Sequence, residues 1–191
     1  MSATLYVFAG PNGSGKSTII KDYIAFYGLE KIEYICPDIY AQTIFAKTNN
    51  VKERYNKVIK FAEYKREHLL QKNESMLIET FLSRTDKIDF IAKAKEKGYK
   101  VVSIFVGTSD LAINISRVKK RVGEGGHDVP TNKIKSRFAK SMKNLPMLAN
   151  VSDELYIYDN SLDLPVLAIS IVDKDVFVSD NAPEWTKKVF D

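Results

Sequence analysis

Residues 10–18, "GPNGSGKST", carry Gly10, Gly15, Lys16 and Ser17 at the spacing G-x-x-x-x-G-K-[ST]. That spacing has a chemistry. The glycines let backbone N–H groups turn inward around phosphate oxygens. The lysine reaches the β- and γ-phosphates, and the hydroxyl next to it ligates Mg2+. The apolar run "TLYVFA" precedes the loop and "IIKDYIAFYG" follows it. A strand before and a helix after is the context the motif requires, because the helix aims its positive N-terminal end at the same anion. Gly10, Pro11, Asn12, Gly13, Ser14, Gly15, Lys16, Ser17 and Thr18 are therefore expected to hold a nucleoside triphosphate, with Ser17 on Mg2+.

Two acids stand at the ends of other apolar runs: Asp38 after "YICP" and Glu79 after "SMLI". In an open parallel sheet the carboxyl ends of the strands line the ligand crevice, which would bring both acids to the phosphates. A carboxylate beside an acceptor hydroxyl can take its proton as a phosphoryl group moves, and another can orient the acceptor or a metal-bound water. Each acid also has a structural alternative. Asp38 could cap the helix beginning at "IYAQTIF", and Glu79 could cap the turn into "FLSRTD".

The third element is "SRVKKRVGEGGHDVPTNKIKSRFAKSMKNL". From Arg117 to Lys143 it holds nine Lys or Arg against two acids, Glu124 and Asp128. Arg117 and Arg121 are four apart and share a helix face. A bend at "GEGGHDVP" separates them from a second helix carrying Arg137. An arginine-rich helix–loop–helix between two sheet strands reads as a lid over about 117–143, whose arginines neutralise charge on the transferring phosphoryl group. Aromatic residues are not interleaved with it, so a small polyanion fits better than a nucleic acid.

Three absences narrow the class. "TNKI" continues with Lys135 where the guanine-reading N-K-x-D needs an acid; "LSRT" at 82–85 departs from the transporter signature LSGGQ; and no strand ends in D-E as in motor ATPases. A kinase is left as the first reading. A nucleotide-dependent switch or regulatory ATPase and a nucleic-acid end kinase are the alternatives.

These groups need a scaffold. Apolar runs recur at "TLYVFAG", "EYICPD", "SMLIET", "KVVSIFVGT" and "ELYIYDN", and the first four are each followed by a helix-like stretch. Continuously apolar strands imply burial on both faces. With the glycine loop, the pattern predicts an α/β fold of the P-loop NTPase type, a mostly parallel five-stranded sheet with helices on both faces. "PVLAISIVDKDVFVSD" predicts an antiparallel hairpin at an edge, about 165–179. No repeat or linker divides the 191 residues, so 1–191 is read as a single domain. The single cysteine, Cys36, fits a reducing cytosol and is expected to be a buried, inert thiol on a strand. No stretch is apolar for long enough to span a bilayer, and Gly10 comes too early for a secretory leader.

The order "GPNGSGKST", "PD", "ET-x-LS", "GY-x-V", "RV-x-x-RV-x-x-GGH-x-VP", "SMKNL" and "YDN" resembles the zeta-toxin-like P-loop kinases, closest to the short branch often labelled predicted ABC-type ATPases. The resemblance runs from about residue 4 to about residue 162. It implies a sheet of nucleotide-kinase type, ATP with Mg2+, a small-molecule acceptor of the UDP-amino-sugar class, and a possible antitoxin protein as partner. By that resemblance Lys16 and Ser17 match the Walker pair, Asp38 the base, Glu79 the substrate-binding acid and Arg117 the first lid arginine. Where the relatives place a second lid arginine this chain has His127, with Arg121 and Arg137 nearby. The expected catalytic set is Lys16, Asp38, Arg117 and Arg121; the expected acceptor-binding set is Asp38, Glu79, Thr80, His127 and Arg137.

Overall fold

The structure, a computed structural model, describes residues 2–126 and 128–187. The strand β1 (Thr4–Ala9) leads through the glycine loop into α1 (Lys16–Tyr27). Then come β2 (Glu33–Ile35), α2 (Pro37–Gln42), α3 (Val51–Lys72), β3 (Met76–Thr80), α4 (Asp86–Glu96) and β4 (Lys100–Gly107). Two helices follow, α5 (Leu111–Gly123) and α6 (Thr131–Val151), and then β5 (Glu154–Asp159), β6 (Val166–Val172), β7 (Asp175–Val178) and α7 (Glu184–Lys187).

The strands form one sheet in the order β2-β3-β1-β4-β5-β6-β7. β2, β3, β1, β4 and β5 are parallel, as the apolar runs predict. The expected hairpin forms and extends the same sheet, β6 pairing antiparallel with β5 and β7 with β6. Its turn residues, Asp173 and Lys174, both have positive φ, 52° and 74°, the geometry of the tight turn whose twist matches a hairpin.

Parallel strands put all their carboxyl ends on one rim. Along it lie the glycine loop after β1, Asp38 after β2, Glu79 and Thr80 at the end of β3, Thr108 after β4 and Asn160 after β5. The two sheet faces are buried differently. Leu5, Val7, Ile78, Phe105 and Ile157 pack against α3, α4 and α6 through Val58, Ile91 and Leu145, among others. Phe8, Leu77, Ile104 and Val106 pack against Ile19 and Ile20 of α1. The two helices of the expected lid share a small core of their own, Val118, Val129 and Ile134, with Leu111, Ile115 and Val122 against it. Among the described residues no helix is long and apolar enough to cross a membrane.

Candidate active site

The glycine loop is built by close approach. Gly10, at φ 141°, abuts β4, and a Cβ there would run into the Val106 carbonyl oxygen. Gly15, at φ 92°, is the N-cap of α1, where a Cβ would meet the Asn160 side-chain amide. No side chain caps α1 and no acid stands in its first turn, so the positive end of the helix opens into the loop. The Ser14 hydroxyl is buried with no hydrogen-bond partner among the described residues. A buried polar atom without a partner inside a phosphate cradle is one a ligand oxygen or water can satisfy.

Lys16 is only 4% exposed. Its ammonium donates to the Pro11 carbonyl at 2.9 Å and lies 3.9 Å from a Glu79 carboxylate oxygen. Burial pulls its pKa down to about 8; Glu79 and Asp38 oppose the shift, and Arg121 and Arg137 add to it. Two carboxylates and three cations thus share one electrostatic field at the mouth of the loop. Glu79 is a strand residue rather than a turn cap. Its other oxygen accepts from the Tyr34 hydroxyl at 2.8 Å and from the Cys36 thiol at 3.7 Å. Burial, with the Glu79 charge adding to it, holds the Tyr34 phenol well above its ordinary pKa, so it remains a donor.

Asp38 is exposed in the first turn of α2, and Cys36, not Asp38, holds the N-cap position of that helix. Cys36 is buried and unpaired, as expected, though one residue past β2 rather than within it. Burial pushes its thiol pKa up, which keeps it a poor nucleophile. Thr80, expected to touch substrate, is buried, and its hydroxyl accepts the Leu82 N–H at 3.0 Å. Ser17 and Thr18 are exposed at the start of α1.

The lid arginines divide. Arg137 donates to the Asn12 side-chain oxygen at 3.0 Å and lies 4.3 Å over the Phe81 ring, and the Lys16 ammonium lies 5.1 Å from the same ring. Arg117 is elsewhere. The sequence reading takes it to the phosphates, but its guanidinium forks onto the carbonyls of Asn160, at 2.6 Å, and Leu162, at 3.2 Å. It borders a cavity of about 520 Å3 with Ser161, Leu162, Asp163, Leu164 and Val166. His127 lies outside the described residues.

Three residues of this site were not expected from sequence. Asn114 is fully buried in α5, donates to the Asn12 carbonyl at 2.6 Å and accepts from the Thr108 hydroxyl. It interrupts the apolar stripe of Leu111, Ile115, Val118 and Val122, and a polar residue on a buried stripe signals a buried partner. Asn160 donates to the Ser14 carbonyl at 2.8 Å, and Phe81 carries the two cations. Asn160 stands in the "YDN" segment; nothing in its local sequence singles out Phe81.

A glycine loop after the central strand of a parallel sheet ordered 2-3-1-4-5, with a helix pair before the last parallel strand, is the P-loop kinase-like fold. The chain belongs to the AAA domain family AAA_33, whose profile matches residues 5–144. A chain of the AvrRxo1-ORF1:-ORF2 complex with ATP superposes on it with a TM-score of 0.77 at 19% identity. The match covers 98% of this chain but 63% of that one, so this chain spans less than two thirds of that relative. A chain from the PezAT chromosomal toxin–antitoxin system of Streptococcus pneumoniae superposes with a TM-score of 0.58 at 18% identity, covering 86% of this chain and 71% of that one. An uncharacterised protein of Haemophilus influenzae is 26% identical over 132 residues, 69% of this chain and 89% of its own.

Proposed function

We propose that this protein is an ATP-dependent phosphotransferase that moves the γ-phosphoryl group to a hydroxyl of a small acceptor. The observation that carries the reading is the charge gathered at the glycine loop: the Lys16 ammonium lies 3.9 Å from Glu79 and shares the Phe81 ring with Arg137, which is bonded to Asn12 of the loop. Hydrolysis or switching needs cations for the phosphates. An exposed carboxylate beside them, outside the cap position of its own helix, is what a transferase adds.

In the proposed reaction the acceptor oxygen bonds to the γ-phosphorus, the bond from phosphorus to the β–γ bridging oxygen breaks, and ADP departs. Asp38 takes the acceptor proton. Lys16, Arg121 and Arg137 balance the charge on the phosphoryl oxygens, and Glu79 with Tyr34 holds Lys16 in register. The site fits Mg2+ of the kind that phosphates bring with them. Ser17 presents an exposed hydroxyl, and no cluster of three or more His, Cys, Asp or Glu that would form an all-protein cage occurs among the described residues. The ion would lower the charge of the phosphates. For the acceptor we favour the UDP-amino-sugar class, supported by the resemblance of the motifs to zeta-toxin-like kinases. A protein antitoxin as partner is supported by two similar folds solved as AvrRxo1-ORF1:-ORF2 and from PezAT.

Incubating the protein with ATP, Mg2+ and a pool of UDP-sugars, then reading masses, tests the reaction. A mass gain of one phosphoryl group on a sugar, absent with Lys16→Ala, is expected. ATP consumption with no phosphorylated acceptor in any metabolite pool would overturn the transferase reading in favour of a regulatory ATPase.

A further inference from the structure

The segment Thr80–Phe81–Leu82 is fixed from three directions. The Thr80 carbonyl accepts the Gly10 N–H of the glycine loop at 3.2 Å. The Phe81 carbonyl accepts from the Ser141 hydroxyl at 2.7 Å and the Leu82 carbonyl from Asn144 at 2.8 Å, both on α6. Leu82 is fully buried at φ 52°, a left-handed conformation that a branched side chain adopts only where its surroundings impose it. The backbone here is over-determined, and what it presents is the Phe81 ring.

Two cations rest on that ring, the Lys16 ammonium and the Arg137 guanidinium, although their like charges repel. The aromatic face attracts both. Asn12 holds Arg137 from the other end, at 3.0 Å, and Asn12 belongs to the glycine loop. Arg137 is half-buried, and protein groups alone, Asn12 and the Phe81 ring, set it over the loop. An arginine docked in advance loses less side-chain freedom when a phosphate arrives.

We propose that Phe81 is a positioning residue that confers preference for a nucleoside triphosphate over a diphosphate by holding Arg137 beside Lys16 at the γ-phosphate end of the site. The inference rests on the P-loop reading, in which Lys16 serves the β- and γ-phosphates. Diphosphate retains the backbone cradle and Lys16 but offers Arg137 nothing.

The test is calorimetric binding of ATP and of ADP, each with Mg2+, to wild type, Phe81→Leu, Phe81→Met and Phe81→Tyr. The two aliphatic variants keep apolar volume and lose the aromatic face; either serves if the other melts early. Both should weaken ATP about tenfold, the scale of one desolvated cation–π contact, and ADP less than threefold. Phe81→Tyr, which keeps the face, should bind both nucleotides as wild type does. Adding Arg137→Ala to Phe81→Leu should weaken ATP no further than Arg137→Ala alone. Equal losses for ATP and ADP, or strictly additive losses in the double variant, would overturn the inference and leave the P-loop reading standing. Wild type binding neither nucleotide would overturn both.

Discussion

The Lys16 ammonium lies 3.9 Å from the Glu79 carboxylate inside a site that leaves the lysine 4% exposed. Burial outweighs that carboxylate, and the lysine pKa comes down to about 8. Phosphates would push it back up, so nucleotide binding and proton uptake are linked. The sign follows. Below pH 8 the free protein already carries the proton, and affinity is flat. Above it the free protein loses a proton that the complex keeps, so ATP affinity should fall, approaching tenfold per pH unit, between about pH 8 and 10. Calorimetry at pH 8.5 in buffers of different ionisation enthalpy should show proton uptake on binding, and Lys16→Met should abolish it. Uptake that persists in Lys16→Met would place the titration on another group.

Asp38 separates catalysis from folding. It stands in the first turn of α2 but not at its cap, so Asp38→Asn gives up only a helix-dipole contribution of about 0.3–1 kcal/mol. The variant should bind ATP nearly as wild type does and transfer phosphate about 100-fold more slowly or worse. Normal transfer per folded molecule with a lowered melting temperature would make Asp38 a structural residue of α2.

What the sequence made legible follows from what is local. The strand–loop–helix around Lys16 and the hairpin turn at Asp173 are encoded within a few residues of where they act. The fork of Arg117 onto Asn160 joins residues 43 apart, and the Arg137–Asn12 bond joins residues 125 apart. Those depend on how α5, α6 and the end of β5 come together around the glycine loop, which no local pattern specifies. Phe81 shows the limit: one aromatic residue after an apolar strand reads as core, and only the fold brings two cations to its ring.

Arg117 and Asn160 form a brace between α5 and the glycine loop. Asn160→Ala would leave the Ser14 carbonyl without its 2.8 Å donor and should lower stability by about 1 kcal/mol. Arg117→Lys cannot fork onto two carbonyls, so it should loosen the same loop. For Arg117→Ala the expected kinetic signature is a raised KM for ATP with kcat within a few-fold of wild type. A collapse of kcat at unchanged KM would put Arg117 on the transferring phosphoryl group after all.

Arg137 should lose kcat as well as ATP affinity. Docked on Phe81 and Asn12 beside Lys16, it is the arginine we propose meets the charge that develops in transfer, and Arg137→Ala should lower kcat by about 1000-fold, the scale of a lost arginine finger. His127, which the resemblance to zeta-toxin-like kinases aligns with a lid arginine, is the rival source of that charge. An imidazole with an ordinary pKa near 6.5 is mostly neutral at pH 7, whereas a guanidinium is charged throughout. If histidine supplied the charge, kcat would climb as pH falls from 8 towards 6, and His127→Ala would flatten the climb. With Arg137 in place, and Arg121 acting on Lys16 from the same lid, we expect wild type and His127→Ala to trace the same pH–rate profile across that range. A profile that rises on acidification and loses the rise with His127→Ala, while Arg137→Ala stays active, would transfer the role to His127.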